Sequence, residues 1–162
     1  MNFSTLFRLR ENLNLDKKTL VILRWIAITG QLTAINLVYF YLKLDFSVVI
    51  AHVILFFGFL TNFYLHFGVR SLVLKDFYAS IFLFYDLVQL TALLYLTGGI
   101  SNPFSILMII PTIVSSTFLS MGTTIILGIL TIIFLFLLTI FHYPLPGIHD
   151  HSITFPKLYL TG

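Results

Sequence analysis

The sequence predicts an all-α, polytopic transmembrane helical bundle, and three observations lead to this prediction. The 162 residues are 59 % hydrophobic, with a mean hydropathy of +1.03. Only 9 % of them are charged, whereas about 25 % are charged in an ordinary soluble domain. The apolar residues gather into five long runs, separated by short polar or Gly- and Pro-bearing segments. The chain is therefore expected to lie in a bilayer.

Each apolar run predicts one membrane-spanning helix, because bare backbone polar groups cannot face lipid. Most runs are close to the ~20 residues that cross ~30 Å of hydrocarbon. Five complete spans are expected, with a sixth beginning beyond them near Leu158. The fourth run is the shortest and carries Pro111, which predicts a kink. The five runs are Leu20–Leu42, Phe46–Phe67, Phe77–Leu96, Phe104–Leu119 and Thr123–Phe141.

The basic residues predict the orientation, since the cytoplasmic loops of membrane proteins are enriched in Lys and Arg. A cytoplasmic N-terminus leaves only Lys43 and Lys157 outside and indicates a multi-pass protein of a bacterial inner membrane. The chain then divides into a cytoplasmic segment (1–18), a transmembrane bundle (19–141) and a periplasmic tail (142–162) that leads to the missing sixth span. The cytoplasmic basic residues would be Arg8, Arg10, Lys17, Lys18, Arg70 and Lys75.

One compact turn between the third and fourth runs stands out, and it lies on the periplasmic side in this orientation. Gly98 and Gly99 follow a run that ends at Leu96, which predicts a left-handed helix C-cap. Asn102 and Pro103 then predict a helix start, because Asn is a favoured N-cap and Pro fits the first helical position. The minimum role of the turn is therefore to stop one helix and start the next.

The same turn collects groups that suit a small, mostly apolar ligand with carbonyl oxygens. Ser101, the Asn102 amide, Tyr95 and free backbone N–H groups offer polar contacts, and Phe104 offers an apolar wall. A few polar groups in an apolar cleft are typical of such binding sites. On this chemistry alone, a plain helix hairpin and a ligand site both remain open.

The segment Gly98–Phe104 resembles the GGxxNPF loop of redox-responsive sensor histidine kinases of the RegB/PrrB type. The flanks Tyr85–Leu90 and Leu93–Thr97, and the stretches Leu23–Ala27 and Gly30–Leu32, are similar to that family in the same order. The resemblance implies that the loop binds ubiquinone and lets a kinase sense the redox state of the quinone pool. The quinone-binding residues that it implies are Gly98, Gly99, Ser101, Asn102, Pro103, Phe104 and Tyr95.

Asp86 is the only acidic residue well inside a predicted span, and a carboxylate there is costly unless it has a partner. Counting 1.5 Å per residue puts Gln31 at a similar depth and Arg24 within reach of a long side chain. Gln89 shares a helix face with Asp86 and leads toward the loop. We therefore expect Asp86, Gln89, Gln31 and Arg24 to form a coupling network, with a purely structural interhelical tie as the alternative.

The family resemblance also implies a homodimer that acts on a cytoplasmic response regulator through a kinase part, which this stretch lacks. No phosphoacceptor-like histidine, ATP-binding motif, catalytic residue or metal site is identified in the sequence, and cysteine is absent. The chain is thus expected to be a fragment or truncated copy of a longer protein, without nucleic-acid partners. Two other classes remain open: a quinone-linked membrane anchor subunit of an oxidoreductase, and a transporter fragment with Asp86 on an ion path.

Overall fold

The computed structural model describes residues 15–41, 43 and 46–143. Most of the predicted cytoplasmic segment, all but two residues of the predicted tail, and the expected sixth span lie outside this described part. In chain order the elements are β1 (Leu15–Asp16), α1 (Lys17–Asn36), α2 (Val48–Phe63), β2 (Val73–Leu74), α3 (Asp76–Leu96), α4 (Ile110–Phe118) and α5 (Met121–Ile140).

Three of the helix ends have irregular extensions. Helix α1 continues as a π-helical turn at Leu37–Tyr41, and α2 does so at Tyr64–Gly68. Two 3₁₀ segments, Gly99–Ser101 and Pro103–Ile109, connect α3 to α4. The irregular backbone between α3 and α4 therefore includes the turn that the sequence singled out.

Four helices of the described part are long and apolar enough to cross a membrane, which confirms a helical, multi-pass chain. They are Lys17–Tyr41, Val48–Gly68, Asp76–Leu96 and Met121–Ile140. The prediction of five complete spans is not confirmed, because the fourth run forms the shorter apolar helix Pro103–Phe118. Large apolar side chains on these helices point outward, as lipid-facing residues do; Ile106 is 74 % exposed and Ile132 is 68 % exposed.

The irregularity expected at Pro111 takes the form of a change from 3₁₀ to α-helix. Proline has no N–H to donate, so the carbonyl four residues earlier, that of Leu107, needs another donor. The Ile110 N–H supplies it through the tighter i to i+3 pattern. This bond ends the 3₁₀ segment Pro103–Ile109, and regular α-helix begins at Ile110, so Pro111 lies in the first turn of α4, where no N–H is needed.

A small two-stranded ribbon joins the starts of α1 and α3, which a purely helical prediction did not include. Strands β1 and β2 pair antiparallel, with Leu15 opposite Leu74. The Lys17 ammonium donates to the carbonyls of His66 and Val69, at 3.1 and 2.7 Å. These bonds use carbonyls at the end of α2 that have no helical partner, so they tie three helices together at one end of the bundle.

At the same end, Asp76 fastens α3 to the turn between α4 and α5. Its carboxylate accepts from the Ser120 N–H at 2.7 Å and from the Ser120 hydroxyl at 3.0 Å. The Thr123 hydroxyl donates to it as well. At the opposite end, the Tyr143 N–H donates to the Tyr95 carbonyl at 3.0 Å, which joins the ends of α5 and α3. The helices therefore run alternately up and down.

Helix α3 is the centre of the bundle, because it packs on α2, α4 and α5. One buried cluster joins Leu87 and Leu94 of α3 to Met108 and Leu138. A second cluster on the other side of α3 joins Leu93 to α1 and α2. The turn that follows α3 packs against α5, where Gly99 lies beside Leu138 and His142.

We expect Gly99→Ala to lower the free energy of unfolding in detergent by about 2 kcal/mol or more, measured by denaturant titration. Gly99 has φ +58°, a left-handed conformation that costs other residues about 1–2 kcal/mol. An added Cβ would also lie 2.7 Å from the Leu138 carbonyl oxygen and 2.6 Å from His142 Cβ.

Gly122→Ala is the matched control for this prediction, since nothing lies within 4 Å of its Cβ position. It is expected to leave stability unchanged or slightly raised, because Ala favours helix over Gly. Equal stability of the Gly99→Ala and Gly122→Ala proteins would contradict the role assigned to Gly99.

Candidate functional site: a cavity between the turn and the polar network

The turn after α3 has the local structure that its sequence predicts. Gly98 and Gly99 both have positive φ, +102° and +58°, and the Thr97 N–H closes α3 by donating to the Leu94 carbonyl. Asn102 caps the next segment, because its side-chain oxygen accepts from the Phe104 N–H at 2.9 Å. Pro103 occupies the first position of that segment. The predicted C-cap and N-cap are therefore confirmed.

The Asn102 side chain is fully used inside the turn. Its amide nitrogen donates to the Thr97 carbonyl at 3.0 Å and to the Thr97 hydroxyl at 2.8 Å. With the bond that its oxygen accepts, this side chain connects the end of α3 to the start of the 3₁₀ segment. Asn102 therefore fixes the shape of the turn in this structure.

A cavity of about 510 Å³ extends from this turn into the bundle. Its walls come from α1, from α3 and from the chain between Asn102 and Val114. Pro103, Phe104 and Leu107 belong to the apolar part of this lining. The polar lining residues are Arg24, Gln31, Asp86, Thr97 and Asn102. The cavity thus connects the turn to residues of the predicted coupling network.

Arg24 and Asp86 form an ion pair at the deep side of this cavity. The Arg24 Nε and Nη2 atoms each lie 2.9 Å from Asp86 Oδ1, and Nη2 also donates to the Thr61 hydroxyl at 2.9 Å. Arg24 is 2 % exposed, whereas a quarter of the Asp86 side chain is accessible. The Arg24 guanidinium also lies 5.1 Å from the Phe82 ring centroid, a cation–π contact. With its Thr61 contact, the pair connects α1, α2 and α3.

A second polar contact joins the same helices nearer the turn. The Gln89 amide nitrogen donates to the Gln31 side-chain oxygen at 2.9 Å. Gln89 is buried, and its oxygen and nitrogen press against Gly58 of α2. Gln31, which the sequence places at a depth similar to that of Asp86, bonds Gln89 instead, and Asp86 bonds Arg24. All four residues nevertheless lie together in this part of the bundle.

Some residues of the predicted ligand set are not part of the cavity wall. Tyr95 packs its ring edge-on against Tyr143, with centroids 5.5 Å apart. Ser101 is exposed, and Gly98 and Gly99 are buried in the turn. Among the predicted residues of the turn, Asn102, Pro103 and Phe104 line the cavity.

Sequence reasoning missed the contribution of α2. Gly58 and Thr61 contact the two polar pairs, although neither lines the cavity. A signal was present: the buried positions of α2 recur every three or four residues and include small or polar side chains, as helix interfaces in membranes do. These positions are Ala51, Leu55, Gly58, Asn62 and Leu65.

Within the described ranges, no group of three His, Cys, Asp or Glu could hold a metal ion.

Comparison with known proteins identifies the family of this chain. Residues 17–157 match the model of the PilS-like transmembrane domain, a six-span family. At 37 % identity over 155 residues, the chain is similar to the sensor histidine kinase RegB of Cereibacter sphaeroides. The aligned part is 90 % of this chain and 32 % of that protein, so the chain spans about a third of the length of this relative. No solved structure matches.

The resemblance that the turn and its flanks suggested, to the transmembrane region of RegB/PrrB-type sensors, is confirmed by these matches. It extends over the helices that build the cavity, because the family match begins at the first residue of α1 and continues beyond α5. The chain belongs to the PilS-like transmembrane domain family.

Proposed function

We propose that this chain is the membrane sensor module of a two-component sensor histidine kinase, and that it senses redox state by binding ubiquinone. The observation that carries the proposal is the cavity, which joins Asn102, Pro103 and Phe104 of the GGxxNPF-like turn to the Arg24–Asp86 pair. One ligand in this space would contact both the turn and the polar network. The residues that bind the ligand and the residues that transmit its effect to the helices would then lie in one site.

The cavity suits a quinone in size and in chemistry. Small-molecule sites usually occupy ~300–1,000 Å³, and the 510 Å³ found here is within that range. Most of its lining is apolar, which suits the ring and the first part of an isoprenoid tail. Phe104 would pack on the ring, while the few polar side chains would bond the ring oxygens.

The polar groups provide a way to distinguish the two redox forms. Quinone oxygens only accept hydrogen bonds, whereas the hydroxyls of the quinol also donate. The Arg24 nitrogens are bonded or enclosed, so at this pair a ligand meets Asp86, which can only accept when it is ionised. A ligand shifts a conformational equilibrium only by the difference in its affinity for the two states. The quinol, which can donate to Asp86, would therefore act on this pair differently from the quinone.

The response would be transmitted by helix movement. In the proposed protein, a sixth span and a kinase part beyond this stretch would receive the movement in a homodimer and pass phosphate to a response regulator. Because α3 contacts both the cavity and the end of the bundle fastened by Asp76, it is the most direct route between them. The phosphotransfer chemistry belongs to the kinase part.

We propose a location in a bacterial inner membrane, with the N-terminus in the cytoplasm. The basic residues support this, because Lys17, Lys18, Arg70 and Lys75 lie at the same end of the bundle. The turn 98–104 lies at the opposite end, which would be periplasmic.

Phe104→Ala is expected to weaken binding of a short-tailed ubiquinone about tenfold, or ~1.4 kcal/mol, through loss of the ring contact. Asn102→Ala should weaken binding similarly, because the turn loses its cap. Binding would be followed in nanodiscs by quenching of Trp25, the one tryptophan in the sequence. Phe56→Ala is the control, since Phe56 is 58 % exposed on α2 and lies outside the cavity lining. Saturable binding that ignores both variants of the turn would contradict the site.

Asp86→Ala is expected to uncouple the response more than it weakens binding. With the domain joined to a histidine-kinase core, the quinone-dependent change in autophosphorylation should fall at least about fivefold. The dissociation constant should change by less than about threefold, because the turn still holds the ring. Asp86→Asn keeps the shape of the side chain and tests whether the charge matters. Equal loss of binding in Asp86→Ala and Asn102→Ala membranes would contradict this division of roles.

The orientation can be tested with single cysteines, because the natural sequence contains none. We expect a membrane-impermeant maleimide to label Ser101→Cys in intact spheroplasts and Ser71→Cys only after lysis. Both serines are exposed and lie at opposite ends of the bundle, so they form a matched pair. The reverse labelling pattern would place the N-terminus outside.

A further inference from the structure

The cavity contains few hydrogen-bond donors that are still free. Both amide hydrogens of Asn102 are used by Thr97, and the Thr97 hydroxyl donates to the Leu93 carbonyl at 2.8 Å. Arg24 uses Nε and Nη2 on Asp86 and Thr61; its remaining nitrogen, Nη1, has no partner among the described residues, but it is enclosed by protein and cannot reach a ligand in the cavity. Of the five polar lining side chains, this leaves Gln31 as the donor available to a ligand.

The contact with Gln89 also holds the Gln31 side chain so that its NH₂ group, and not its oxygen, is left without a partner. Its side-chain oxygen accepts from the Gln89 amide nitrogen at 2.9 Å. The Gln31 NH₂ group is therefore directed away from Gln89, and it makes no hydrogen bond within residues 15–41, 43 and 46–143. A donor beside an apolar space is unfavourable unless an acceptor occupies that space.

Gly58 is what keeps Gln89 in its place. A Cβ on residue 58 would lie 2.3 Å from Gln89 Oε1 and 2.7 Å from Gln89 Nε2, far inside van der Waals contact. The atoms that would be displaced are the end of a flexible side chain, so the backbone of α2 and α3 need not move. An added methyl group would displace the Gln89 amide from the position in which it bonds Gln31, without preventing folding.

We infer that the Gln31 carboxamide binds a carbonyl oxygen of the ligand, and that Gly58 and Gln89 are positioning residues that hold it ready to do so. This inference rests on the proposed function, since it assigns one hydrogen bond of the proposed quinone site. The ring oxygen is bonded by Gln31, about two helical turns along α1 from Arg24, rather than by Asn102. Helix α2 thereby responds to ligand binding, although neither Gly58 nor Thr61 lines the cavity.

The test measures binding of a short-tailed ubiquinone with ¹³C-labelled carbonyl groups to the full chain in nanodiscs. Gly58→Ala and Gln31→Ala should each weaken binding about tenfold, the value expected for one lost hydrogen bond in a dry site. Infrared difference spectra should lose the downshifted carbonyl band of the bound ligand in both variants. Gly128→Ala is the control on α5, because its Cβ would lie 3.6 Å from Thr112 Cγ2, an ordinary contact.

A double-mutant cycle separates positioning from a general structural effect. In a Gln89→Ala background, Gly58→Ala should cause no further loss of affinity, since the side chain that it displaces is absent. A further tenfold loss in that background would overturn the positioning role. An unchanged carbonyl band in Gln31→Ala would overturn the assignment of the donor.

The binding measurements distinguish failure of the proposed quinone site from failure of the Gln31 assignment. If the wild-type protein binds quinone and Phe104→Ala weakens binding while Gln31→Ala and Gly58→Ala do not, the inference fails and the proposed function stands. If the wild-type protein shows no saturable binding, both are overturned. Should Gly58→Ala fold poorly, Gln31→Ala and Gln89→Ala still decide the outcome, because both remove side chains rather than add volume.

Discussion

The buried ion pair between Arg24 and Asp86 is the constraint on which the rest of this bundle depends. Removing two charges from water is costly, and breaking such a pair leaves one of them without compensation, at about 3–5 kcal/mol. The pair also recruits the Thr61 hydroxyl, so α1, α2 and α3 must keep a common register. Apolar packing alone would fix that register less strictly, because lipid is as apolar as the side chains that it would replace.

The two polar contacts have different relations to the cavity. The ion pair is almost closed off on the Arg24 side and accessible on the Asp86 side. The Gln31–Gln89 contact, in contrast, is anchored on α2 through the close approach of Gly58. A ligand that bonds either pair acts on helices beyond the cavity wall. This arrangement explains how a small occupant in a mostly apolar space could influence a whole bundle.

Sequence reasoning reached the multi-pass helical fold, because long apolar runs permit little else in a membrane. It also reached the caps at Gly98 and Asn102, since these depend on local backbone conformation alone. The partner of Gln31 could not be derived: counting residues gives the depth of a side chain, but its direction around the helix axis depends on packing. The 3₁₀ segment before Ile110 also escaped prediction: Pro111 indicated an irregular backbone but not its form, and 3₁₀ runs longer than three or four residues are uncommon.

The length of the 3₁₀ segment Pro103–Ile109 depends on how its backbone is wound. The seven residues Pro103–Ile109 rise by about 2.0 Å each in the 3₁₀ form and would rise by about 1.5 Å each in an α-helix. Rewinding them would shorten the segment by about 3.5 Å and rotate everything that follows. Because Phe104 and Leu107 line the cavity, its occupant would bear directly on that choice of winding. The distance between the turn and α4 thus depends on the winding of this part of the cavity wall.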